Sequence, residues 1–160
     1  MNEGKNSPLI DPNSFPNWII YEDEHILVLD KPGWLVCHPS KNGPWSSLVG
    51  AAKEYLGVES IHLASRLDRE TSGVVLLAKH RGAASRWQKG IEKKTVRRSY
   101  LTILEGEMDD SRVVSAFLGK DPTSDVFVKQ RITKNSHKSQ RAETGFIPLE
   151  VRHGYTFALV

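Results

Sequence analysis

Apolar and polar residues along this chain follow two periods, and the first strong signals are the two-residue kind. Trp18-Ile19-Ile20-Tyr21 and Ile26-Leu27-Val28-Leu29 are short β-rich runs separated by Glu22-Asp23-Glu24-His25, which predicts a hairpin with an acidic turn. The second run is apolar at every position, as expected of a strand covered on both faces. Lys31-Pro32-Gly33 interrupts it, Trp34-Leu35-Val36-Cys37 resumes an extended pattern, and Pro39 to Pro44 reads as loop. A helical period follows. Leu48, Ala51, Ala52 and Tyr55 share a face, with Ser46 or Ser47 as cap and Gly57 just past the end.

Residues 73–79 predict another strand. Arg81 to Lys94 predicts a second helix, with Ala83, Ala84, Trp87 and Ile91 on one face and Arg86, Lys89 and Lys93 on another. Strand patterns recur at 95–105, 112–118, 126–132 and 141–151, and Tyr155 to Val160 begins one more. Residues 1–16, with Pro8, Pro12 and Pro16 among Asn, Ser and Asp, read as a flexible lead-in. That leaves 17–160 as one domain. Many strands with two helices predict an α+β fold: a mixed, largely antiparallel sheet with flanking helices. The final run ends on apolar residues without a turn or polar tail, so the expectation is a piece of a longer chain.

Composition narrows the class. A chain of 160 residues, 39% hydrophobic and 26% charged, suits an ordinary soluble domain with a real core. No apolar run approaches the ~20 residues of a membrane helix, and the N-terminus lacks the basic-then-apolar pattern of a secretory signal. The single cysteine, Cys37, excludes an internal disulfide framework and suits a reducing compartment, so the expected location is cytoplasmic. Six scattered histidines show no metal-ligand spacing, and there is no Walker or dinucleotide glycine motif. Cys37 beside His38 suggests a thiol nucleophile less than it suggests a small buried side chain.

Charge adds a partner. Residues 1–30 hold six acids and one base, which leaves 21 bases against 13 acids in 31–160. The bases concentrate at 81–98 (Arg81, Arg86, Lys89, Lys93, Lys94, Arg97, Arg98) and at 129–141 (Lys129, Arg131, Lys134, Lys138, Arg141). A basic body of this kind favours a polyanion, most often nucleic acid.

The chemistry centres on Ser65-Arg66-Leu67-Asp68-Arg69-Glu70-Thr71-Ser72-Gly73, a charged loop running straight into Val74-Val75-Leu76-Leu77-Ala78-Lys79. Charged loops held by scaffold strands are typical functional sites, although most exposed charge pairs are only solvated. Asp68 lies between two arginines in sequence, which supply positive charge for a carboxylate anion. Such an anion can act on an anomeric carbon. A sugar-bond hydrolase would need a second carboxyl, and alternation points Glu70 away from Asp68. A base such as uracil spreads negative charge over its carbonyls and leaves with one carboxylate.

The segment 65–79 resembles the catalytic signature of RluA-type RNA pseudouridine synthases. Two further pieces match in order: Asp30-Lys31-Pro32-Gly33-Trp34-Leu35-Val36-Cys37-His38-Pro39 resembles the family's upstream lysine-proline motif. Arg98-Ser99-Tyr100-Leu101-Thr102-Ile103-Leu104-Glu105-Gly106 resembles its basic-x-Tyr strand leading to a glycine. Together the motifs cover roughly residues 19–107.

The resemblance implies the pseudouridine synthase catalytic fold, with 17–160 as the N-terminal two-thirds of that domain. It implies isomerisation of uridine to pseudouridine in ribosomal or transfer RNA. Asp68 is then the catalytic carboxylate, attacking the ribose or abstracting a proton from it. Tyr100 lies against the uracil, Arg66 holds the opened RNA or lines the pocket, and the target base leaves its stack. Arg86, Lys89, Lys93, Arg97 and Arg98 are the expected RNA-binding residues. No metal, organic cofactor, membrane or obligate protein partner is implied.

Ser65 stands where the family commonly has histidine, and Arg98 where lysine is usual, which keeps charge but changes geometry. A later family motif rich in Thr, Gly, Arg and His, whose basic residue pairs with the catalytic aspartate, is not found before Val160. An S4-type RNA-binding module is not recognised ahead of the catalytic region. The alternative is therefore a catalytically incomplete RNA-binding remnant.

Overall fold

The computed structural model describes residues 8–39, 41–125 and 129–160. They divide into two units, one reaching to Val96 and the other running Arg97–Val160. Each is built on its own antiparallel sheet, where the sequence pattern had suggested one. No helix among the described residues is long and apolar enough to cross a membrane.

The first unit holds β1 (Ile19–Glu22), β2 (Ile26–Lys31), α1 (Leu48–Leu56), β3 (His62–Leu63), β4 (Gly73–Ala78) and α2 (Arg81–Glu92), its strands ordered β1-β2-β4-β3. The predicted hairpin forms because Asp23 fixes its turn: Oδ1 accepts from the backbone N–H groups of His25 at 2.8 Å and Ile26 at 2.7 Å, the usual use of a short acidic side chain in a turn. β2 and β4 are the inner strands, and Leu27, Leu29, Val75 and Leu77 are buried among Leu48, Val49, Ala51 and Ala52 of α1. Ser47 starts α1 by accepting from the Gly50 N–H at 3.1 Å, and Gly57 closes it at φ 64°, a left-handed conformation that glycine adopts without penalty. α2 keeps Ala83 inside, and its cap is His80, whose Nδ1 accepts from the Ala83 N–H at 3.2 Å.

Two local expectations change. Trp34–Cys37 is not a strand. The carbonyls of Val36 and Cys37 instead accept from the N–H groups of Leu48 (2.9 Å) and Val49 (3.1 Å) at the start of α1. Helix N-termini carry orphan donors, and satisfying them takes this segment out of the sheet. The proline-rich lead-in also supplies core residues: Ile10 and Phe15 are buried, and the Phe15 ring meets Trp18 and Trp45 edge-on.

The second unit is a five-stranded sheet of β5 (Leu101–Glu105), β6 (Arg112–Lys120), β7 (Gln130–Thr133), β8 (Ser139–Arg152) and β9 (Tyr155–Leu159), in the order β5-β9-β8-β6-β7. β8 serves two neighbours, pairing with β6 through Phe146 and with β9 from Ile147 onward. The register slips between Pro148 and Glu150, as expected where a proline withholds a ladder donor. The final strand is interior, flanked by β5 and β8. Of the strand expected at 126–132, residues 126–128 lie outside the described residues, and 95–100 precedes β5 rather than joining it.

Candidate active site

Lys31, the last residue of β2, pairs with Gly73, the first residue of β4. The chain leaving β2 (32–38) and the chain entering β4 (65–72) therefore emerge side by side at one end of the first sheet. That register alone brings the lysine-proline segment against the charged loop.

Four contacts fasten them together. Lys31 is fully buried, and its Nζ donates to the carbonyls of Pro32 (2.9 Å), Leu35 (2.7 Å) and Arg69 (3.1 Å). An ammonium has three donors, and all three are used. Burial pulls the Lys31 pKa below the ordinary lysine value, opposed by the Cys37 thiol and the carboxylates of Glu70 and Asp68. Cys37 Sγ donates to the Leu67 carbonyl at 3.3 Å, Arg69 Nε to the Trp34 carbonyl at 3.3 Å, and Arg66 Nη1 to His38 Nε2 at 2.8 Å. Leu67 packs against the core. The Thr71 N–H closes the turn on the Asp68 carbonyl at 3.1 Å.

Asp68 projects from this fastened loop and is exposed. Among the described residues its carboxylate accepts no hydrogen bond and joins no ion pair. The flanking arginines are occupied elsewhere, Arg66 with His38 and Arg69 with a main-chain oxygen, so their nearness to Asp68 in sequence does not become an ion pair with it. The arrangement is an accessible carboxylate on a backbone held from beneath.

Tyr100 belongs to the second unit. It is exposed to 40%, so it is not the core tyrosine that strand position alone would suggest. Its N–H donates to the Val160 carbonyl at 2.7 Å and its carbonyl accepts from Val160 at 2.8 Å, which continues the β5–β9 ladder by one residue. Arg86 and Lys89 lie exposed on α2 and Lys93 just beyond its end, a spacing that sets the three along one side of the helix. Arg97 and Arg98 are exposed at the start of the second unit.

Lys31 and Cys37 carry more of the site than their residue types announce. The available signal was a lysine closing, after Asp30, a strand whose first four residues are apolar, just before Pro32. Among the described residues no group of three or more His, Cys, Asp or Glu could hold a metal ion.

A family model described as RNA pseudouridylate synthase matches residues 25–152, which carries the likeness well past residue 107. An uncharacterized RNA pseudouridine synthase of Mycoplasma pneumoniae is 36% identical over 141 residues, covering 88% of this chain and 45% of that protein. Ribosomal large subunit pseudouridine synthase D of Nitrosomonas europaea is 32% identical over 114 residues, 68% of this chain and 33% of that one. Among solved structures, human RNA Pseudouridylate Synthase Domain Containing 4 aligns with TM-score 0.71 at 25% identity, over 92% of this chain and 59% of the human one. Human RNA Pseudouridylate Synthase Domain Containing 1, at 18% identity and TM-score 0.70 over 99% of this chain and 61% of that one, shares the fold. The chain spans less than half the length of the curated relatives it matches.

Proposed function

The chain belongs to the RNA pseudouridylate synthase family, and from that membership we propose that it isomerises uridine to pseudouridine in ribosomal or transfer RNA, with Asp68 as the catalytic carboxylate. The observation that carries this reading is the state of Asp68: exposed, without a hydrogen bond or ion pair among the described residues, on a loop whose backbone Lys31, Cys37 and Arg69 hold in place. An enzyme gains most from a reacting group whose position is fixed while its functional atoms stay unengaged.

In the proposed reaction the target uridine leaves its stack. Asp68 attacks the ribose or removes a proton from it, and the N-glycosidic bond breaks with its electrons going to uracil. The base turns and C5 bonds to the ribose carbon, a step that either displaces the Asp68 carboxylate from that carbon or is completed by return of the ribose proton from Asp68, while the C5 proton is lost and N1 gains one. Atoms are conserved, as an isomerisation requires. Tyr100 is proposed as the base-facing aromatic from its place in the third motif and its exposure. Arg66 is proposed to hold the opened RNA. Arg86, Lys89, Lys93, Arg97 and Arg98 would grip phosphates, a charge-driven contact that salt weakens. A cytoplasmic location goes with an RNA substrate and a free thiol.

The test is incubation with cellular RNA lacking the modification, followed by base-specific labelling of pseudouridine, with Asp68→Ala alongside. Product from the native chain and none from the variant is the expected result. Product from neither, with RNA affinity retained, would overturn the reading in favour of a non-catalytic RNA-binding remnant.

A further inference from the structure

We propose that His38 is a positioning residue for Arg66, and that taking up a proton on His38 releases Arg66 from the orientation in which it holds RNA. The inference deepens the function proposed above and rests on it.

The geometry fixes the direction of the bond. Arg66 Nη1 and His38 Nε2 are 2.8 Å apart. A guanidinium donates and never accepts, so Nε2 supplies the lone pair and the ring proton of a neutral His38 sits on Nδ1. The two backbones are already registered, because the adjacent residues, Cys37 and Leu67, are joined through Sγ and a carbonyl at 3.3 Å. The His38–Arg66 bond therefore aims the arginine side chain rather than placing its backbone. Among the described residues His38 is the hydrogen-bond partner of this guanidinium, and the exposed side chain keeps its other donors for phosphate or base. An arginine so held loses less rotamer freedom on binding than a solvated one.

A protonated His38 has no lone pair at Nε2 and sets a second cation against the guanidinium. The other titratable or charged groups of the two loops are Asp68, Arg69 and Glu70 on one side and Lys31, Cys37 and Lys41 on the other. Lys31 and Arg69 are cations with no lone pair to offer, and among the described residues neither Asp68 nor Glu70 accepts from Arg66, so none of these substitutes for His38 as the acceptor.

The experiment compares native protein with His38→Gln, His38→Phe, Arg66→Ala and the His38→Phe/Arg66→Ala double variant, after thermal unfolding confirms that each folds. In pseudouridine formation, His38→Phe is expected to raise KM about tenfold while kcat changes little, the scale of one charge-assisted hydrogen bond. His38→Gln keeps an acceptor oxygen but does not titrate, so it should hold KM near the native value and abolish the rise in KM on the acid side. An unchanged KM for His38→Phe, or a native acid limb in His38→Gln, would overturn the proposal. Affinity for a labelled uridine-containing RNA stem-loop is measured in parallel. The double variant should bind no more weakly than Arg66→Ala alone; additive losses, or no loss from Arg66→Ala, would also overturn it. If no form makes pseudouridine while the affinities are non-additive, the enzyme reading falls and the positioning stands.

Discussion

The ammonium group of Lys31 lies 3.1 Å from the backbone carbonyl of Arg69, the residue next to Asp68. A side chain from the end of one inner strand thus holds the loop that enters the other. Lys31→Met should leave the carbonyls of Pro32, Leu35 and Arg69 without their donor, and buried acceptors left unmade are costly. A net loss of about 3 kcal/mol is expected, once the relief of burying no charge is counted. Urea unfolding followed by Trp fluorescence measures it, and a change under about 0.5 kcal/mol, the range of ordinary surface substitutions, would refute the anchoring role.

Asp68→Ala should do the reverse. Its carboxylate has no hydrogen bond or ion pair to lose among the described residues, so stability should stay within about 0.5 kcal/mol of native. RNA affinity should persist while pseudouridine formation disappears. Parallel unfolding, binding and activity assays separate the three quantities.

The hairpin turn carries a pH signature. Backbone hydrogen bonds from Ile26, then His25, hold the Asp23 pKa below its ordinary value of 3.8. A carboxylate with a lowered folded-state pKa contributes stability above the unfolded value and loses it as pH falls through the folded one. The stability difference between native protein and Asp23→Ala should therefore be constant above pH 3.8 and shrink below it. A difference that persists unchanged into strong acid would contradict the assignment.

In the second unit, Thr156 is fully buried; its Oγ1 accepts from the Met108 N–H at 2.9 Å and donates to the Gly106 carbonyl at 2.8 Å. Thr156→Val keeps the shape and removes both bonds, which should cost about 1–3 kcal/mol. Hydrogen exchange at Met108 is the direct readout, since its amide loses its acceptor.

RNA affinity should depend on Arg86, Lys89 and Lys93 through salt. Replacing one of them by alanine should flatten the plot of log affinity against log salt by ~0.7–0.9 per lost phosphate contact. An unchanged slope for the triple variant would remove this helix from the RNA surface.

Element types were legible in the chain because its periods are clean. The alternation around Asp23, the capped run at 47–57 and the basic-and-apolar faces of 81–94 all have local causes. What local pattern did not carry was pairing. Trp34–Cys37 has the burial alternation of a strand, and only the tertiary demand of the α1 N-terminus takes its carbonyls away. Asp68 stood out as a carboxylate among arginines, but where those arginines go depends on Lys31 meeting Gly73, contacts about forty residues apart. Ile10 and Phe15 were hidden for another reason: proline-rich surroundings mask two residues that reach the core.

Gly33 sets a tolerance finer than any of these bonds. A β-carbon added there would sit 3.0 Å from the Glu70 carbonyl oxygen, close enough that the neighbour must shift by a few tenths of an ångström. Glu70 lies in the turn that Thr71 closes onto Asp68, so the displacement is passed along a rigid arc toward the carboxylate. The lone hydrogen of that glycine works as a feeler gauge: calibration of the loop, rather than its survival, is what alanine at this position would spoil.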